Sequence, residues 1–152
     1  MPVFGELPGR LFRRRCLMAE FSAQVDAWVA ATKERTEAVV KKSIERTVEF
    51  MQRPTARGGN MPVLTGYLRN SLLGSTSSMP AMRENATSEA ESIVLAIVGL
   101  KMGETFYAGY TASYSAHVEY GARGRPARRF VGLAAERWQT TVNEVVRDAR
   151  GA

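Results

Sequence analysis

The sequence predicts an α+β fold: a long N-terminal helix and a C-terminal helix packed on a small, mainly antiparallel sheet of three to five strands. Three observations predict it. Apolar residues recur at helical spacing from Phe21 to Met51. A second apolar stripe at the same spacing runs from Phe130 to Val146. Between them lie short apolar or alternating runs bounded by polar, Gly- and Pro-containing stretches.

The first helix is expected over about Glu20 to Arg53. Phe21, Val25, Trp28, Thr32, Val39, Ile44, Val48 and Met51 recur at threes, fours and near multiples of them. Pro54 should end it, because the residue before a proline avoids helical angles. At 1.5 Å per residue such a helix spans roughly 50 Å, more than the core of a small domain. Residues 54–64 read as a mobile Pro/Gly/Arg/Asn loop. Leu68 to Ser78 is expected to begin a strand, followed by a polar loop over 79–90. Glu91 to Leu100 is the strongest strand signal, β-branched and apolar on both faces. Such a strand must be covered on both faces: by the long helix on one, and by a second helix or another subunit on the other. Phe106 to Thr111 is a third strand, with Phe106, Ala108 and Tyr110 alternating with Tyr107 and Gly109. The segment from Ser113 to Phe130 reads as a loop. Pro126 sits at or near the first turn of the last helix, whose stripe is Phe130, Leu133, Ala134, Trp138, Val142, Val145 and Val146.

At 152 residues the chain is one domain. Residues 18–152 form it, and residues 1–17 are a basic arm. The arm is either a flexible extension or an upstream start, since Met18-Ala19-Glu20 could open the chain itself. The net charge of +6 is local. Arg10, Arg13, Arg14 and Arg15 form one cluster; Arg123, Arg125, Arg128 and Arg129 form another. Removing those eight from 21 basic side chains leaves 13 against 15 acidic ones. Clusters of this kind face nucleic acid or an acidic protein surface, or are simply solvated. No apolar run reaches the length of a membrane span, and no apolar segment follows the N-terminal arginines as a secretory signal requires.

Catalytic chemistry has little to work with. His117 is the single histidine and Cys16 the single cysteine, so a His/Cys zinc site within one chain is excluded. There is no phosphate-binding GxxxxGK[ST] or GxGxxG signature. No cofactor or metal is expected, and the chain does not read as an enzyme. Trp28 and Trp138 lie on apolar helix stripes and read as core. Glu89 and Glu91 read as solvent-facing.

Three motif blocks carry a resemblance. They are Thr65-Gly66-Tyr67-Leu68-Arg69-Asn70-Ser71-Leu72, then Tyr114 to Gly121 with its Val118-Glu119-Tyr120-Gly121 end, then Arg125-Pro126-Ala127-Arg128-Arg129-Phe130. In order and spacing the chain resembles the tail-completion family of tailed bacteriophages, small neck or minor-tail proteins that join head to tail. Where the family often has a proline just before the aromatic residue of the third block, this chain has Arg129. The resemblance implies a structural virion protein of the neck or tail, assembled in the bacterial host cytoplasm. It implies a ring, six-fold in this family, between the head connector and the tail tube or tail terminator, with genomic DNA passing through the lumen and no membrane partner. The subunit or partner interface is then expected at Tyr67, Arg69, Tyr114, Glu119, Tyr120, Arg123, Arg125, Arg128, Arg129 and Phe130, together with the two-faced apolar strand. Glu119 either orients the loop by an ion pair, bridges to a neighbour, or forms an exposed salt bridge. The alternative function is a small basic nucleic-acid-binding protein that sets its arginine clusters on phosphates and its tyrosines under bases.

Overall fold

The structure, a computed structural model, describes residues 9–82 and 90–151, with side-chain surroundings from residue 18 and again from residue 92. It is a mixed fold of helix and strand. Helix α1 (Gly9–Met51) is followed by a short 3-10 turn (Thr55–Arg57), α2 (Tyr67–Asn70), β1 (Leu72–Ser75), α3 (Ala90–Gly99), β2 (Tyr107–Tyr110), α4 (Ser115–Tyr120) and α5 (Phe130–Gly151). The chain divides into two compact units, residues 1–36 and residues 37–152. Helix α1 starts inside the stretch read as an arm. Residues 1–8 and the side chains of the first arginine cluster lie outside the described residues, as do Glu89 and the side chain of Glu91.

In the second unit, β1 and β2 pair antiparallel with Leu72 opposite Tyr110 and Ser75 opposite Tyr107. These are the two strands among the described residues, so the sheet falls short of three to five. The missing strand is the run expected to be the strongest. Glu91 to Gly99 is helical, within α3. A short apolar run has no alternation to separate strand from helix. What decides is the packing of Ile93, Ile97 and Leu100, which at helical spacing are all buried. Leu72, Gly74, Ala108 and Tyr110 share one face of the hairpin, and α3 lies against it. The approach is close: a Cβ on Gly74 would stand 2.9 Å from the Ile93 side chain and 3.0 Å from its Cα. Glycine there lets the helix backbone reach the strand.

The main core joins Ile44 and Met51 of α1, Leu72 of β1, Ile93, Ile97 and Leu100 of the α3 region, and Ala134 of α5. An ion pair from Arg46 to Asp148 at 2.7 Å ties α1 to α5 at the surface. A second, smaller core holds Met61, Leu68, Ala112 and Phe130. Tyr110 packs against both. The loop over 54–64 is not a bland connection. Pro54 bridges to Met61, the Thr55 amide donates to the Met61 carbonyl at 3.0 Å, and the Met61 side chain is fully buried.

Two tryptophans depart from expectation. Trp28 is 68% exposed. Trp138 is 38% exposed and forms one wall of an apolar groove with Val40, Ile44, Val48, Leu100 and Phe106. Its stripe is rotated from the position expected: Phe130, Ala134, Thr141 and Val145 are the buried residues of α5.

Candidate interaction site

The three motif blocks meet around the second core. Thr65-Gly66 leads into the single turn of α2, which buries Leu68 and leaves Arg69 exposed. Ser71 then closes the block. Its hydroxyl donates to the Leu68 carbonyl at 2.7 Å, and its own carbonyl accepts both the amide and the hydroxyl of Thr111, each at 2.9 Å. The hairpin is thus extended by one fully buried polar tie. Tyr67 stacks on Tyr114 with ring centroids 6.1 Å apart, so the first block touches the second. Tyr110 meets Phe130 edge-on at 5.1 Å, so β2 touches the third.

The stretch from Ser113 to Phe130 contains a helix of its own, α4. After α4 the chain makes a tight turn. Ala122 and Arg125 face each other across it, and the Arg125 amide donates to the Ala122 carbonyl at 3.0 Å. Both central residues have positive φ, 51° at Arg123 and 78° at Gly124. That is the pattern of a type I′ turn, which glycine meets freely and arginine meets under strain. The chain then runs back along α4. The amides of Arg128 and Arg129 donate to the carbonyls of Val118 and Glu119 at 3.0 and 3.1 Å. Arg129 also has a positive φ, 49°. A proline, fixed near −65°, could not adopt it. This turn therefore requires a residue other than proline at this position. Pro126 lies in this returning segment and not in the first turn of α5, which begins at Phe130.

Glu119 is the keystone of the arrangement. It is buried, and its carboxylate accepts the Val131 amide at 3.0 Å and the Gly132 amide at 2.8 Å. A helix start has unpaired amides and a partial positive charge, and a carboxylate twelve residues upstream satisfies both. Nothing local in the sequence announces this cap. Glu119 thus holds α4, the returning segment and α5 together, and it does so within its own chain.

The expected interface residues therefore separate into two groups. Phe130 is 2% exposed and belongs to the core. Glu119 faces inward and Tyr67 is half-buried. Arg69, Tyr114, Tyr120, Arg123, Arg125, Arg128 and Arg129 are exposed, with Tyr120 at 80%. Arg129 pairs with Glu136 of α5. Arg123, Arg125 and Arg128 form no ion pair among the described residues. The outcome is an exposed rim of tyrosine and arginine on a buried polar frame.

Sequence reading placed Glu91 to Leu100 at the interface as a two-faced strand, but it did not find a helix there with a separate outer face. Val94, Leu95 and Val98 are all exposed there. Neither did it find the exposure of the first half of α1, where Met18, Phe21, Val25 and Trp28 are all uncovered. Among the described residues no group of histidine, cysteine and carboxylate side chains could hold a metal ion, and no helix is long and apolar enough to cross a membrane. Comparisons with protein-family models, characterised proteins and solved structures give no match to this chain.

Proposed function

We propose that this chain is a structural, non-enzymatic protein that assembles with copies of itself into a closed ring. In this reading it sits in the neck or tail of a phage particle, between the head connector and the tail tube. The three motif blocks motivate the phage setting and the six-fold ring. One structural observation supports assembly: large apolar side chains lie uncovered on regular helices, Phe21 and Trp28 on α1 and Val94, Leu95 and Val98 on α3. Scattered exposed apolar residues are ordinary, but runs along one helix face mark contact surfaces. A ring of identical subunits needs two different faces per copy, which meet head to tail and close. The tyrosine–arginine rim is the polar surface such a protein offers to neighbouring neck or tail proteins, through charge-assisted hydrogen bonds to their carboxylates.

Imaging of the assembled particle tests this. The expected result is several copies in one ring at the head–tail junction. A single copy, or no copy in the neck and tail, overturns it. A second reading is favoured by the unpaired arginines around Tyr120: these side chains could track a nucleic-acid backbone while the ring stacks on a base. Purified protein would then bind DNA with an affinity that falls steeply with salt, and Arg125→Ala with Arg128→Ala would flatten that dependence.

A further inference from the structure

Helix α1 carries a seam that its own turns do not cover. Met18, Phe21, Val25 and Trp28 follow one another at spacings of three, four and three, the pattern that places knobs along one side of a helix for another helix to receive. All four are exposed. The positions beside the seam are Ser22, Gln24, Val29 and Ala31, small or uncharged, so nothing there repels an approaching helix. Thr32 continues the seam, and its hydroxyl already donates to the Trp28 carbonyl at 2.8 Å. Burying it would leave no donor unpaired. The charged residues Glu20, Asp26 and Lys33 lie off the seam.

The outer face of α3 is the matching surface. Val94, Leu95 and Val98 are 58%, 68% and 65% exposed, and no charged residue interrupts the chain from Ser92 to Leu100. Beside this face runs a groove of about 530 Å³, lined by Leu72, Ile93, Val94 and Ile97 and also by the charged side chains Glu45, Glu49 and Arg69. It has room for an aromatic side chain.

We infer that the α1 seam of one copy, from Met18 to Trp28, docks on the outer face of α3 of the next copy, with Trp28 beside the groove edged by Val94. Two faces of exposed apolar side chains, one on each of two helices of every copy, are both covered by this single contact. Pairing of two α1 seams with each other would cover one and leave α3 bare. A contact between unlike faces propagates from copy to copy, which is what a ring needs; the inference rests on the ring reading and names its surfaces.

Cross-linking of the full chain tests it. Trp28→Cys and Leu95→Cys are made separately in a Cys16→Ser background, and the two proteins are mixed with a short thiol-specific cross-linker. A cross-linked dimer is expected in the mixture and not with either protein alone. Adding Leu95→Glu in place of Leu95→Cys should lower dimer formation through a nearby Val98→Cys reporter at least tenfold, with the melting temperature unchanged. Val94→Ser serves the same purpose if the glutamate disturbs α3. Dimers of Trp28→Cys alone would show seam-to-seam pairing and overturn the inference. So would a monomer-sized cross-link in a chain carrying both cysteines, or no product in the mixture. A ring seen in particles without this cross-link removes the surfaces and leaves the ring. The cross-link without the protein in any particle leaves the contact and removes the phage setting.

Discussion

The two halves of α1 obey the same spacing rule and meet opposite fates. From Ile44 to Met51 the apolar residues at positions 44, 48 and 51 lie against β1, α3 and α5, and Ile44 and Met51 are each 8% exposed. From Met18 to Trp28 the same kind of stripe is uncovered. Periodicity reports that a helix has an apolar face. It does not report whether the chain has anything to put on that face. Where the remaining elements are few and short, as here, an apolar stripe is as much an address for a partner as a core.

The comparison breaks most sharply under alanine. Ile44→Ala and Met51→Ala should each cost about 2–5 kcal/mol, as large-to-small core changes do. Phe21→Ala and Trp28→Ala should leave the isolated chain within about ±0.5 kcal/mol. Chemical denaturation of the four variants measures this. Equal losses in both halves would mean the first half is covered in the monomer.

Next in size is Glu119→Gln. The amide group keeps one acceptor for the α5 amides but turns an N–H toward the other and removes the charge. A loss of about 2 kcal/mol is expected, the scale of hydrogen bonds to charged groups. Normal stability would place the cap elsewhere. Trp138→Ala should fall between the two halves of α1. The ring is half-covered in its groove, so about 1–2 kcal/mol is expected, below the ~3–5 kcal/mol of a fully buried tryptophan.

The smallest effect at neutral pH is at Tyr110. Burial, and then the charge of Glu119, push its phenol well above its ordinary 10.0. The folded chain therefore holds this proton more tightly than the unfolded one. The stability linked to it is complete below about pH 10 and is lost as pH rises further. Ultraviolet titration should show one tyrosine ionising late, near the onset of alkaline unfolding, and Tyr110→Phe should remove it. Simultaneous ionisation of all five tyrosines would show Tyr110 to be solvated.

The same logic explains what was legible in the sequence. Pro54 did end α1 within three residues, and the apolar stripe did locate α5. β2 lies inside the alternating run from Phe106 to Thr111. These features are local, and local spacing carries them. Ile93 to Val98 reads as strand yet is helix, because a run apolar on every side satisfies both; the deciding contacts, with Gly74 and Leu72, come from about twenty residues upstream. Glu119 and Met61 were opaque for a related reason. Their partners, the α5 amides and the residues of the second core, become neighbours only after the chain has folded.

The two arginines with left-handed backbone, Arg123 and Arg129, have a consequence in evolutionary terms. Each conformation costs on the order of 1 kcal/mol for a residue with a side chain, and glycine would relieve it. Every arginine codon becomes a glycine codon by changing its first base. A relaxed version of this turn is therefore one nucleotide away at both positions. Selection for stability alone would drift toward glycine there. Arg129 has a use for its guanidinium inside the fold, the ion pair with Glu136, whereas Arg123 has no ion pair among the described residues, which makes Arg123→Gly the change most able to separate a stable protein from a useful one.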